Sequence, residues 1–280
     1  MTTAKKTFGA ILCVLSCGLW SSFAQAEESN PLDAKFVLDI GWFFMSTDTR
    51  VRVDGNDSSQ IGSDVDFDDT FGLGDFDRFR FDGQWRISGR HSIRATYFEN
   101  NRSGSRSLTR NINFGDETYT VGTTVAAESN LTVVQVSYDY AFVRKETYEI
   151  AGAVGLHTLD MSLGLDATLS SGGGSISRRA SESASTAAPL PVLGIRGLWK
   201  LPHDFSISAA LNYFYLDFDR YTGSLTDLKA SVVWQPLPHL GFGVGYNDFK
   251  FRFDIDDKGK FSGLLRWNYG GAIAFATLVF

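Results

Sequence analysis

Beyond residue 26 the 280-residue sequence contains no cysteine, since Cys13 and Cys17 both precede that point. Disulfide staples and thiolate metal sites are therefore excluded from everything that follows. No uninterrupted apolar run there is long enough for a membrane helix. Basic clusters are also missing. With 26 Lys and Arg against 32 Asp and Glu the chain is acidic, which argues against nucleic acid as a partner. Histidine is scarce: His91, His203 and His239 fall in turn-like sequence, and only His157 lies within an expected strand.

The N-terminus is organised for export. Lys5 and Lys6 precede an apolar stretch from Phe8 to Trp20, and Ala24-Gln25-Ala26 supplies a small-residue cleavage site. This predicts a signal peptide over residues 1–26 and one domain over 27–280. A lipid-modified Cys17 is the competing reading, but the apolar run continues past it. Losing Lys5 and Lys6 takes the formal net charge from −6 to −8.

The dominant pattern is a period of two. In 78–87, Phe79, Phe81, Gly83, Trp85 and Ile87 share one face, while Arg78, Arg80, Asp82, Gln84 and Arg86 share the other. The same alternation marks Phe36 to Phe44, Val134 to Phe142, Phe205 to Tyr215, Leu228 to Trp234 and Leu240 to Tyr246. Short polar or proline-bearing turns fall at 88–91, 144–147, 201–204 and 236–239. The longer connections fall at 47–76, 101–128 and 163–188, with shorter ones near 217–223 and 254–259. Residues 170–189 read as a Ser/Gly/Ala-rich flexible loop.

Outward apolar faces with a charged interior suit a closed antiparallel up-and-down barrel in lipid. The fold class is therefore all-β and transmembrane. Four short turns plus two termini at the same end require ten strands, if 259–280 is one strand bulged or kinked at Gly270-Gly271. Twelve strands, with a hairpin from 101–128, is the alternative. Trp85, Tyr148, Trp199, Phe205 and Trp234 flank the short turns, which predicts an aromatic girdle at the periplasmic interface. A soluble exported β-sandwich is disfavoured, because its outward faces would be too continuously apolar for water.

The signal peptide, the cysteine-free remainder, the alternating strands and the terminal Leu278-Val279-Phe280 together resemble the small Gram-negative outer-membrane barrels, the broad opacity-type, OmpA- and OmpW-like group. The stretch from Asp64 to Leu73 resembles one in uncharacterised members of that group. The resemblance implies outer-membrane location, contact with lipid and lipopolysaccharide, and assembly through a signal at Leu278 and Phe280. It implies no substrate and no cofactor.

The expected lumen-lining charges are Asp39, Arg78, Arg80, Asp82, Arg86, Arg94, Asp139, Glu149, Arg196, Lys200, Asp227, Lys229 and Arg266. A ten-stranded barrel has a backbone radius of about 10 Å, which long side chains largely fill. These charges would form either an internal ion-pair network or a narrow path for small hydrophilic solutes. Asp64, Asp66 and Asp68, on one face of an expected extended segment, are a weak divalent-cation candidate. The EF-hand pattern fails at Asp69 and Asp75. Asp254, Asp256 and Asp257 form a second acidic tip. Three roles remain: passive pore or structural barrel, surface recognition by the long connections, or a hydrolase using His157.

Overall fold

A computed structural model describes residues 30–55, 61–74, 77–114, 117–171, 174–178, 184–257 and 261–280. The expected signal peptide lies outside the described residues. In chain order the elements are β1 (Phe36–Val53), β2 (Val65–Asp66), α1 (Phe67–Phe71), β3 (Asp77–Ser88), β4 (His91–Ser107), β5 (Ile112–Phe114) and β6 (Glu117–Tyr119). They continue with β7 (Thr124–Arg144), β8 (Tyr148–Ser171), β9 (Gly174–Arg178), β10 (Ala184–Lys200), β11 (Phe205–Phe218), β12 (Tyr221–Leu237), β13 (Leu240–Asp257) and β14 (Phe261–Val279).

Ten of these strands, β1, β3, β4, β7, β8, β10, β11, β12, β13 and β14, pair antiparallel in sequence order, and β14 closes on β1. Closure is completed where Phe36 and Phe280 exchange backbone hydrogen bonds of 2.8 Å each. Closing the sheet leaves no unpaired edge in hydrocarbon, the condition that lipid imposes on a spanning sheet. The alternative count of twelve is not observed. A hairpin does arise from 101–128, but β5 and β6 pair only with each other, outside the wall.

All four expected short turns join barrel strands. Three register shifts, at Arg86/Ser88, Ala141/Val143 and Trp234/Leu237, fall beside them. Outward rings meet across strands just above this end: Phe36 stacks with Trp85 at 6.2 Å and Phe205 with Trp234 at 6.4 Å. Tyr148 is the register partner of Trp199. The residues of the expected girdle thus occupy one level on the outer face.

Two expectations about the opposite end are corrected. The connections at 101–128 and 163–188 are largely strand, and 47–76 is strand at its start: β1, β4 and β8 run on to Val53, Ser107 and Ser171, while β7 and β10 begin at Thr124 and Ala184. Part of the stretch 170–189 is likewise β9 and β10. The reason is a change of phase. Along β7 the outward residues from Val134 to Phe142 are apolar, but above them Val125, Ala127, Leu131 and Val133 are buried inside while Ala126, Glu128 and Asn130 face out. β13 does the same, with Phe242, Val244 and Tyr246 outside below, and Phe249 and Phe251 inside above. The barrel is polar inside where lipid surrounds it and apolar inside where water does.

The second correction concerns β14. It is one long strand, as expected, but its pairing with β1 and β13 passes through Gly270 and Gly271 without a register shift, so there is no bulge. Its unassigned faces are resolved: Ile273, Phe275 and Val279 point inward, and Ala272, Ala274, Ala276, Leu278 and Phe280 outward. Phe275 fits because its register partners are Gly41 on β1 and Gly243 on β13. A Cβ at either glycine would overlap Phe275.

The wall has two low points, at β3 and at β11. Beside β3 the gap is filled by β2 and α1. α1 starts at an Asp66 cap that accepts the Asp69 N–H at 3.0 Å and stops at Gly72 with φ 69°. Its Phe67 and Phe71 pack into the barrel mouth, and Phe67 meets Phe114 of β5 at 6.1 Å. Beside β11 the β10–β11 ladder ends at Leu193↔Tyr213, while β10 continues on β8 to Ala184↔Leu163. Lys200 N donates to Thr147 O and Leu201 N to Phe205 O, so the odd-numbered amides of β10 face β11. Pro189 and Pro191 are odd-numbered. They remove the donors that would continue the ladder.

Candidate functional site in the barrel lumen

The inward faces of β1, β3, β4, β7, β8, β10 and β12 place twelve of the thirteen expected lumen charges inside the wall. Asp39, Arg80, Asp82, Arg94, Arg196, Asp227 and Lys229 line an internal cavity of about 130 Å³. Arg266 is the exception. β14 turns Trp267 and Tyr269 inward, so Arg266 projects outward, between Arg50 of β1 and Arg252 of β13. The expectation failed because Gly270-Gly271 obscures the alternation.

The charges in the lumen are cross-linked. Asp82 accepts Arg80 Nε at 2.8 Å and Thr96 Oγ1 at 2.7 Å, and lies 2.9 Å from Lys229 Nζ across the barrel. Arg80 also donates to Asn247 Oδ1 at 2.5 Å, Asn247 Nδ2 donates to Asp227 at 2.7 Å, and Asn212 Nδ2 donates to the same carboxylate at 3.1 Å. On the other wall Asp139 Oδ2 lies 2.8 Å from both Arg94 Nε and Arg196 Nε. Those N–H groups are not aimed at the oxygen, so the contact is Coulombic rather than a pair of well-formed hydrogen bonds. Near the periplasmic mouth Arg86 clasps Glu149 through both terminal nitrogens, at 3.0 and 3.2 Å. Below that the turn at Asn30–Ala34 is held by Arg144, which donates to Leu32 O at 2.7 Å and Asp33 Oδ1 at 2.6 Å. Leu32 is buried.

Directly above the polar layer an aromatic chain spans the lumen. Phe43 of β1 contacts Phe98 of β4 and Tyr269 of β14, each with centroids 5.7 Å apart. Tyr269 stacks on Phe249 of β13 at 4.6 Å, and Phe249 stacks on His157 of β8 at 5.1 Å. Phe43, Phe98, Phe249, Tyr269, Leu225 and His157 are all at most 3% exposed. Arg80 joins the two layers, its guanidinium carbon 5.5 Å from both the Phe43 and Phe98 ring centroids. These rings were missed in the sequence because each sits where the alternation changes phase. Inward aromatics beside outward aromatics look like a broken strand.

His157 lies in the aromatic layer, stacked on Phe249, and its Nδ1 has no hydrogen-bond partner among the described residues. His91 and His239 lie at the periplasmic rim, His91 tilted against Tyr138 and His239 stacked on Phe280.

The aspartates at 64–68 do not share a face, because the chain turns helical at Phe67. Asp66 caps the helix. Asp68 turns inward, accepts the Thr49 N–H at 2.6 Å and pairs with Arg102. Burial raises the Asp68 carboxyl above the usual carboxylate range, and Arg102 opposes that shift. Asp254 pairs with Arg252 at 3.2 Å. The side chains of Asp256 and Asp257 lie outside the described residues.

No known family profile and no curated protein matches the chain. Solved structures do. The outer-membrane protease OmpT of Escherichia coli aligns over 91% of this chain and all of that one, with 14% identity and a TM-score of 0.57. Ail, the attachment invasion locus protein of Yersinia pestis, aligns over 88% and 97%, with 13% identity and a TM-score of 0.33. The toluene transporter TodX of P. putida aligns over 90% and 92%, with 9% identity and a TM-score of 0.33. The likeness to OmpT supports the fold: the chain is a small closed barrel of outer-membrane type.

Proposed function

We propose that this protein is a non-catalytic barrel of the Gram-negative outer membrane, closed to solutes at rest, whose wall carries a packed platform above the lipid for surface recognition. The outward apolar belt and the girdle support the placement. Leu278 and Phe280, facing outward at the periplasmic end of β14 beside the closing seam, are the residues proposed to engage the barrel-assembly machinery. The alignment with a protease carries fold only, and the Nδ1 of His157 has no carboxylate or hydroxyl to orient it among the described residues.

One observation carries the closed reading: the aromatic chain from Phe98 to His157 lies across the lumen just above the cross-linked charges. A passive pore needs a continuous water path. Here the path would pass through a dry core in which each aromatic pair contributes about 1 kcal/mol beyond its burial. Strand extension and the α1, β5 and β6 cap favour the platform reading, because they present a preformed surface rather than loose loops.

Planar-bilayer recording on the refolded barrel tests it. Wild type is expected to stay silent, and Phe98→Ala with Phe249→Ala to admit small ions. A stable unit conductance from wild type would overturn the closed reading. Retention of a cell-surface partner after deletion of 109–122, the segment carrying β5 and β6, would sink the platform role.

A further inference from the structure

Outside the barrel, above the lipid-facing belt, three arginines stand side by side on three adjacent strands. Arg266 of β14 is the direct register partner of Arg50 on β1 and of Arg252 on β13. Like charges placed directly across strands destabilise a sheet unless an anion bridges them. The outer two are partly answered along their own strands: Arg50 lies 3.4 Å from Asp48 and 3.7 Å from Asp66, and Arg252 lies 3.2 Å from Asp254. Arg266 makes no hydrogen bond or ion pair among the described residues, and its Nε is buried without a partner. The central cation of the row is the one left unanswered.

The position identifies the anion. Ascending β14 from Phe280, the last rung that is apolar on all three strands is Phe44–Ala272–Tyr246. Arg266 lies six residues above it on the same outward face, about 20 Å along the strand and about 15 Å in height at barrel tilt. That is above the acyl chains of the outer leaflet and among the phosphorylated sugars of its glycolipid. We infer that Arg266, flanked by Arg50 and Arg252, binds a phosphate group of the surrounding lipopolysaccharide. The inference rests on the outer-membrane placement and is independent of whether the lumen is closed. Guanidinium groups are suited to it, because their planar donors match phosphate oxygens two at a time. Asp48, Asp66 and Asp254 balance the three arginines in number, so the row carries no net positive charge and offers one unanswered guanidinium, at Arg266, which suits a single phosphate rather than a polyanion.

The test uses the full barrel refolded in detergent free of glycolipid. It is titrated with lipopolysaccharide carrying a phosphorylated inner core, with the same material dephosphorylated, with lipid A alone and with inorganic phosphate. Wild type is expected to bind the phosphorylated-core form, and Arg266→Gln to weaken that binding about tenfold. Dephosphorylation should lower wild-type binding to the level of the triple Arg50→Gln, Arg252→Gln, Arg266→Gln variant. Discrimination between wild type and the triple variant by lipid A alone assigns the phosphate to lipid A. Discrimination only with the complete core assigns it to the sugars. Heat-modifiable gel mobility checks folding. Without glycolipid the triple variant should unfold at no lower temperature than wild type, since like charges are removed. Arg266→Lys, which keeps the charge but not the planar fork, should fall between. Equal binding by wild type and the triple variant, or indifference to dephosphorylation, overturns the inference.

Discussion

Val133 and Val134 are consecutive residues of β7 on opposite sides of the wall and in opposite solvents: Val133 is 1% exposed in the apolar upper core, and Val134 is 38% exposed on the outer face. Both are valine for the same reason, avoidance of water, but one avoids it through protein and the other through lipid. Changing each to lysine separates the two. Val133→Lys buries an unpaired charge and is expected to cost about 3 kcal/mol or more. Val134→Lys, at the edge of the lipid belt, should cost about 1 kcal/mol or less. Urea midpoints read by heat-modifiable mobility measure both, and equal costs would contradict the phase change.

Asp139 is expected to be the most sensitive carboxylate of the lumen, because it alone separates Arg94 from Arg196. Asp139→Asn should destabilise the barrel by about 2 to 4 kcal/mol, toward the lower end because Arg94 is partly open to the cavity. Asp139→Leu combined with Arg196→Met should recover most of the loss in the same assay. A single substitution without effect would mean that the cavity water, rather than Asp139, screens the two arginines.

Gly243→Val places a side chain where the Phe275 ring lies, and is expected to destabilise by about 1 to 3 kcal/mol through overpacking. Phe275→Leu in the same chain should relieve part of that cost. The coupling energy of the double-mutant cycle is the measurement, and a value near zero would refute the contact.

Pro191 stands where continuation of the register would face Tyr215, two rungs beyond Leu193↔Tyr213. Pro191→Thr restores an N–H directed at β11. The amide of Tyr215 should then exchange with solvent more slowly, and unchanged exchange would show that something other than the missing donor ends the ladder.

The lower half of this barrel was legible in the sequence because lipid and lumen enforce alternation on every strand. Phe79 to Ile87 and Phe205 to Tyr213 display it directly, and the four turns follow. In the upper half alternation persists with its faces exchanged, so that Leu131 and Val133 next to Val134 and Val136 resemble an interruption rather than a continuing strand. Of the lumen charges, those on strands with unbroken alternation were placed correctly. Arg266 was not, because two glycines separate it from the readable part of β14. The acidic run at 64–68 misled for a related reason: a five-residue helix capped by Asp66 has no signature beyond the aspartates themselves.

The period of two, a local steric property of extended chain in two solvents, determined together with the four short turns a closed antiparallel wall, and left the choice between ten strands and twelve to the tertiary structure. Which groups meet inside it is a different matter. Arg80 with Asn247, Lys229 with Asp82, and Phe249 with His157 are separated by long stretches of chain and face one another only because closure brings opposite walls within side-chain reach. Pairing across a lumen depends on barrel diameter and strand stagger, quantities that belong to the whole ring and are written in no single segment.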